Sequence, residues 1–190
     1  MARWEPNARQ RLVLAALDLF GEQGYDDTTV AQIAERAGLT KATFFRHFPD
    51  KREVLFAGQE AHSLLLAEGA AAAPDAATPL EAVGAALDAL TASFTAEQRE
   101  FAPRLLSVVA ASTELLERAT FKRAALAAAL ASALSKRGVP ELTAGLAGEL
   151  GAHAFYRAFE RWVDPASERT LTELARQALG ELRSAAAALG

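Results

Sequence analysis

The chain has 190 residues, of which 51% are hydrophobic and 23% are charged, and its net charge is −4. This composition is typical of a folded globular protein and excludes collagen-like and strongly charged disordered chains. The absence of cysteine excludes disulfides, thiolate metal sites and cysteine nucleophiles. The polar N-terminus lacks the apolar stretch of a secretory signal, and no long uninterrupted apolar run predicts a membrane span, so we expect a cytoplasmic protein.

Apolar residues recur at helical spacing along the chain and β-branched residues are sparse, which predicts an all-α fold of about nine helices. The first helix is predicted to begin near Asn7 and to end before Gly24, and a second helix, capped by Thr28 or Thr29, ends at Gly38. The helices are predicted over about 7–23, 28–37, 40–48, 50–73, 79–96, 98–111, 113–136, 140–163 and 167–187.

Residues 28–48 have the layout of a helix-turn-helix, in which two short helices flank a tight turn that contains glycine. Gly38 suits a positive φ in that turn, and Leu39 can fill the space between the helices. Phe44 and Phe48 lie four residues apart in the second helix and share the face that packs inward. The rest of this helix and the residues around it predict a DNA-facing surface formed by Thr40, Lys41, Thr43, Phe45, Arg46, His47 and Lys51.

The distribution of charge has the sign expected if the N-terminal part contacts a polyanion. Residues 1–52 hold eight basic and seven acidic side chains, a net charge of +1. The remaining residues hold 12 basic and 17 acidic side chains, a net charge of −5.

The block ALDLFGEQGYDDTTVAQIAERAGLTKATFFRHFPDKREVL resembles the DNA-binding domain of TetR-type (tetracycline-repressor-like) regulators, over more than 40 residues from Leu12 to Leu55. The resemblance implies an all-α homodimer. Its three-helix DNA-binding head is expected over residues 1–50, and its body for effector binding and dimerisation over residues 51–190. The implied function is transcription regulation, by a repressor that binds a palindromic operator and is released by a small-molecule effector.

Carried over position by position, the resemblance implies a set of DNA contacts. Thr29, at the start of the second helix, is expected to bind backbone phosphate, and Lys51 is expected to open the fourth helix and bind phosphate. Phe45 stands where the family usually has tyrosine, so only an apolar contact remains possible there. The implied DNA-binding residues are Thr29, Thr40, Lys41, Ala42, Thr43, Phe45, Arg46, His47 and Lys51.

In the body, aromatic side chains beside a few polar groups predict a site for an apolar or amphipathic effector, formed by Phe94, Phe101, Phe121, His153, Tyr156 and Arg157. Small residues on one helix and an apolar stripe on the last helix predict the dimer interface: Gly145, Gly148, Ala152, Leu171, Leu174, Ala178 and Leu182. The alternative for both stripes is that they face the core of their own subunit.

Two other classes of protein are open to an all-α chain. An enzyme is not predicted, because the sequence contains no Ser-His-Asp set, HExxH motif, paired-carboxylate motif or phosphate-binding glycine loop. His62 and His153 lack partners at metal-ligand spacing, so no metal and no cofactor are predicted. The remaining alternative is a helical protein-interaction module whose DNA-binding head is weakened.

Overall fold

The computed structural model of the chain describes residues 8–56 and 58–189, apart from the side chains of residues 59 and 60. Within these residues the fold is all-α, as predicted, and contains no strand. The described part of the chain has nine α-helices: α1 (Ala8–Gln23), α2 (Val30–Arg36), α3 (Lys41–His47), α4 (Gln59–Ala72), α5 (Pro79–Thr91), α6 (Ala96–Ala110), α7 (Thr113–Lys136), α8 (Glu141–Trp162) and α9 (Leu171–Ala187). The predicted start of the first helix at Asn7 lies outside the described residues.

The segment between α3 and α4 differs from the single helix predicted over about 50–73. A 3-10 turn occupies Arg52–Val54, where the side chain of Asp50 accepts a hydrogen bond from the Glu53 amide at 3.0 Å. Gly58 then takes a left-handed backbone conformation with φ of 113°, which a continuous helix does not allow. Helix α4 therefore begins only at Gln59.

The chain forms two compact units. The first consists of Met1–Ala57 with Arg104–Ala119, and the second of Gly58–Pro103 with Thr120–Gly190. Helices α6 and α7 therefore each contribute residues to both units. These structural units do not coincide with the predicted boundary between residues 50 and 51. That boundary separates the predicted DNA-binding head from the predicted effector-binding body, and it stays a prediction.

The core of the first unit is built from large side chains. Leu12, Leu17, Ile33 and Phe44 are completely buried, as is Leu115 from α7. Ile33 and Phe44 come from helices of seven residues, which are too short to be stable without this packing. Each such side chain contributes about 1.5–3 kcal/mol of hydrophobic stabilisation on burial.

The core of the second unit relies on small residues that let helices approach closely. A Cβ atom on Gly69 in α4 would lie 2.7 Å from the carbonyl oxygen of Ala85 in α5. A Cβ atom on Gly148 in α8 would lie 2.5 Å from the carbonyl oxygen of Ala127 in α7. Real Cβ atoms do not come this close to backbone atoms, so these glycines are required by the helix packing.

Candidate nucleic-acid interface

Thr29 starts α2 through a capping box with Gln32. The Thr29 hydroxyl oxygen accepts a hydrogen bond from the Gln32 amide at 3.2 Å, and the Gln32 side chain accepts one from the Thr29 amide at 2.8 Å. Thr28, the other capping candidate, is buried, and its hydroxyl donates to the Gly24 carbonyl. Thr29 thus stands exposed at the position from which a phosphate contact is predicted.

The turn between α2 and α3 depends on Gly38. Its φ is 66°, in the left-handed region, and a Cβ atom there would also lie 2.7 Å from the Arg11 guanidinium. That guanidinium donates to the carbonyl of Ala37, and the Leu39 amide donates to the Ala34 carbonyl at 2.8 Å. The turn has the tight geometry that a helix-turn-helix requires.

Helix α3 separates a buried face from an exposed one. Thr40 caps it by accepting a hydrogen bond from the Thr43 amide at 3.1 Å. Phe44 and Phe48 are buried and hold the helix against the first unit, as predicted from their spacing. The exposed face brings together most of the predicted DNA contacts, namely Thr40, Lys41, Ala42, Phe45 and Arg46.

Phe45 is an exposed aromatic side chain in the middle of that face. It is 48% exposed, and its ring lies edge-on to Phe44 at 5.5 Å between centroids. The ammonium group of Lys41 lies over the ring of Phe45 at 5.9 Å. An apolar surface with a cation beside it can contact both a thymine methyl group and a phosphate.

His47 is turned partly inward. Its Nε2 atom is buried and has no hydrogen-bond partner. Burial lowers the pKa of His47, and the positive charges of Arg46 and Arg9 lower it further, so the imidazole is neutral at pH 7. The predicted contact of His47 with DNA would therefore have to use the other ring nitrogen.

Lys51 requires a correction. It precedes the 3-10 turn and does not open α4, and its ammonium group points into the first unit. There it donates to the carbonyls of Tyr25 at 2.6 Å and Thr28 at 3.0 Å, and it lies 3.9 Å from the centre of the Tyr25 ring. In this conformation Lys51 fixes the loop between α1 and α2, and its contact with phosphate stays a prediction.

The structure shows polar contacts that the sequence does not reveal. The Tyr25 hydroxyl donates to Glu114 at 2.8 Å, and burial and this carboxylate raise the pKa of the tyrosine. Arg118 pairs with Glu53, which likewise joins residues 104–119 to the N-terminal helices of the first unit. These partners are separated by 65 residues or more, so no local pattern predicts them.

The six predicted effector residues do not form one cluster. Phe94 packs with Phe155, Phe159 and Trp162 at ring distances of 5.8–6.0 Å, and its ring stacks on His62 at 5.6 Å. We call these five side chains the aromatic cluster. Of the other predicted residues, His153 and Tyr156 contact Arg123, and Tyr156 also contacts Phe155 of the cluster. Phe101 is half-buried, and Phe121 and Arg157 are exposed.

The dimer interface stays a prediction, and most of its predicted residues lie in the core of a single protomer. Five of its seven residues are buried in the core of their own protomer, which is the alternative considered above: Gly148, Ala152, Leu171, Leu174 and Ala178. Leu182 is partly buried against the same core, and Gly145 is half-buried with open space where a Cβ atom would lie. The exposed apolar residues beside Gly145 are Leu142 and Leu146, which are 77% and 60% exposed.

In the part of the chain that the structure describes, no helix is long and apolar enough to cross a membrane. Nor do three or more His, Cys, Asp or Glu side chains come together among these residues in a way that could hold a metal ion.

Comparison with known proteins agrees with the geometry of this site. Residues 12–57 match the family model described as "Bacterial regulatory proteins, tetR family". The transcriptional regulator TcmR of Streptomyces glaucescens is 39% identical over 82 residues, which are 43% of this chain and 36% of TcmR. The regulator BetI of Rhizobium meliloti is 36% identical over 104 residues, or 54% of this chain and 49% of BetI. The chain thus matches less than half the length of either relative.

Solved structures extend the likeness to the whole fold. FadR of Thermus thermophilus, a TetR-family transcriptional repressor solved with lauroyl-CoA, is 25% identical and has a TM-score of 0.51 over 90% of this chain and 91% of its own. The SmeT–triclosan complex has a TM-score of 0.59 over 95% of this chain and 91% of SmeT, at 21% identity, and shows the shared fold.

Proposed function

We propose that this chain, which is a TetR-type transcriptional regulator with its DNA-binding domain in residues 12–57, is a ligand-released repressor that binds a palindromic operator as a homodimer. The observation that carries the proposal is the exposed face of α3. Lys41, Phe45 and Arg46 lie opposite the buried side chains of Phe44 and Phe48 on a helix that follows a tight turn. Helices presented in this way enter the major groove of DNA.

Three exposed side chains of α3 and the cap residue Thr40 have defined chemical roles in this proposal. Arg46 donates to a guanine or to a phosphate, because a guanidinium matches both acceptors. Lys41 and Thr40 contact phosphate and set the orientation of the helix on the duplex. Phe45 contacts a thymine methyl group or a sugar, because it lacks the hydroxyl that would reach a phosphate.

The homodimer is proposed to form through the exposed face of α8 that contains Leu142, Gly145 and Leu146. Two large leucines exposed on one helix, beside a glycine with open space, give a second helix room to pack closely. A two-fold dimer presents two copies of α3 to half-sites about 34 Å apart, which accounts for a palindromic operator.

The effector is proposed to bind in the second unit beside the aromatic cluster, where His62, Phe94 and Phe159 are half-buried. FadR, 25% identical to this chain, holds lauroyl-CoA, which supports an effector with an apolar portion. An effector that binds better to a conformation with low affinity for DNA shifts the population towards it and releases the operator. The protein acts by binding, not by catalysis, and it acts in the cytoplasm, where its DNA lies.

The DNA-binding part is tested with the purified full-length chain and the region upstream of its own gene. We expect salt-dependent binding that Lys41→Ala weakens at every DNA sequence, with a salt slope reduced by about 1 in a plot of log affinity against log salt. Lys136→Ala, a substitution at an exposed lysine at the end of α7, is the matched control and should change neither quantity. Failure to bind any fragment of the source genome would overturn the proposal.

The same titration separates Lys41 from Lys51. Lys51→Met should destabilise the protein, because it removes two hydrogen bonds to carbonyls of the loop between α1 and α2. Its affinity for DNA should fall only with the fraction folded, and its salt slope should equal that of the wild type. A slope reduced as far as that of Lys41→Ala would show that Lys51 does bind phosphate.

The dimer is tested with Leu146→Glu, which places a charge in the proposed interface. Sedimentation should show a dimeric wild type and a monomeric variant with the same helix content, and the variant should lose affinity for the full palindrome. Leu189→Glu, at an exposed leucine near the C-terminus, is the control. A dimeric Leu146→Glu protein would place the interface elsewhere.

A further inference from the structure

Arg123 in α7 is held by two aromatic side chains of α8, the imidazole of His153 and the ring of Tyr156. Its Nη2 atom lies 2.6 Å from Nδ1 of His153 in α8, and its guanidinium lies over the ring of Tyr156 at 5.6 Å. Arg161 and Arg176 form ion pairs with carboxylates. No carboxylate among the residues that the structure describes pairs with Arg123. The guanidinium is therefore held in place while its charge remains uncompensated.

The contact with Arg123 determines which ring nitrogen of His153 accepts a hydrogen bond and which one donates. An arginine only donates, so Nδ1 of His153 accepts, and the proton of the neutral ring lies on Nε2. The Nε2–H group is then a second donor beside the guanidinium, which keeps four of its five N–H groups. Arg123 is exposed and His153 is half-buried, so both can be reached by a ligand.

We propose that Arg123 and His153 form an anion-binding site that takes a carboxylate or phosphate group. A guanidinium binds either group with two parallel hydrogen bonds, and a neighbouring N–H adds a third. The ring of Tyr156 supports the guanidinium from below, so little rotamer freedom is lost when the anion binds. Tyr156 and His153 were predicted effector residues, but Arg123, which organises them, was not.

The position of the site identifies the class of effector. The Tyr156 ring contacts Phe155 at 5.3 Å, and Phe155 belongs to the aromatic cluster with Phe94 and Phe159. A cationic site and an apolar surface joined by a tyrosine match an amphipathic anion, with its acidic group on Arg123 and its apolar part on the aromatic cluster. This step rests on the proposed function, whereas the anion site does not.

The anion site is tested by NMR on the full-length chain without DNA. The imidazole signals of its three histidines are followed during titration with sodium acetate and, separately, sodium phosphate, at constant ionic strength kept with chloride. We expect a saturable shift of the His153 signal, which His153→Gln identifies by its loss. Arg123→Met should abolish the shift and Arg183→Met, at an exposed arginine of α9, should keep it. A His153 signal that does not respond to either anion in the wild type overturns the proposal.

The effector class is tested with three probes of equal chain length: decanoate, decyl phosphate and decanol. Calorimetry should show that one or both anions bind the wild type about tenfold more tightly than the alcohol, the size of one charge-assisted hydrogen bond. In Arg123→Met the anions should bind only as tightly as decanol, and decanol itself should be unaffected. Equal affinities in the wild type, or no binding by any probe, would overturn the amphipathic assignment. Release of DNA is measured separately, so failure of the repressor model remains distinguishable.

Discussion

The two units of the molecule reach a stable core by opposite means. The first packs large side chains such as Phe44 and Ile33 between short helices, and fixes their ends with caps and polar contacts. The second brings long helices together through glycines such as Gly69 and Gly148, where backbone meets backbone. Loss of buried side-chain volume should therefore destabilise the first unit. Added volume at these glycines should destabilise the second unit.

The largest effect is expected at Phe44, where removal of volume affects the first unit. Phe44→Ala should lower the free energy of unfolding by about 3–5 kcal/mol and should abolish DNA binding, because α3 loses its buried anchor. Phe45→Ala, at the exposed neighbour, should change stability by less than about 0.5 kcal/mol but should still weaken DNA binding. Urea denaturation and DNA binding separate the two effects. Equal destabilisation by both substitutions would contradict the assignment of buried and exposed faces.

The next effect is expected where volume is added to the second unit. Gly69→Ala should destabilise it by about 1–3 kcal/mol, because the new methyl group meets the backbone of α5. Gly180→Ala is the matched control in α9, where a Cβ atom would meet open space. It should raise stability by about 0.5–1 kcal/mol through its helix propensity. A stabilising Gly69→Ala would show that α4 and α5 can move apart at no cost.

Much of the first unit follows from local sequence signals. The positive φ of Gly38 and the burial of Phe44 were both predicted, because turn chemistry and helical spacing act within a few residues. The side chain of Lys51 was not, because the carbonyls that hold it belong to a loop more than 20 residues away. The DNA contacts themselves stay predictions.

In the second unit, local sequence patterns do not identify which elements pack together. Gly148 and Ala152 were predicted to lie in the dimer interface, but both are buried, and Gly148 packs against α7 of the same protomer. Small residues permit close helix packing, but they do not specify which helix packs against them. Likewise, Arg123 carries no local pattern, and its role emerges only when α7 places it against His153.

A smaller, pH-dependent effect is expected at His47 in the first unit. Because burial and then Arg46 and Arg9 lower its folded pKa below 6.5, its contribution to stability is fully present above pH 6.5. That contribution is lost as the pH falls through the folded pKa. The melting temperature of His47→Gln should therefore fall less than that of the wild type as the pH falls from 7.5 to 5. A difference that does not vary with pH would show that the ring titrates as freely as in the unfolded chain.

The smallest effect is expected at the caps, which differ between the units in chemistry. In α2, the N-cap Thr29 forms a capping box with Gln32, whose side chain does not titrate. In α9 of the second unit, the N-cap Thr170 forms a capping box with Glu173, whose side chain does. Hydrogen bonds from the amide and hydroxyl of Thr170 lower the pKa of Glu173 below 4.5. The stabilisation is present above pH 4.5 and is lost as the pH falls through the lowered value. Glu173→Gln should remove this pH dependence, and Gln32→Glu should introduce it in α2, both measured in melts between pH 7 and 3.

Residues 104–119 have a consequence for modular exchange between regulators. A chimaera joined after residue 57 would fuse α1, α2 and α3 to the C-terminal part of another regulator. It would lack Glu114 and Arg118, which belong to the same unit as these helices. The buried hydroxyl of Tyr25 and the carboxylate of Glu53 would then depend on whatever side chains the new body offers at those positions. A transplantable head from this chain therefore comprises two separate stretches of sequence, and a head exchanged with both stretches should retain its stability.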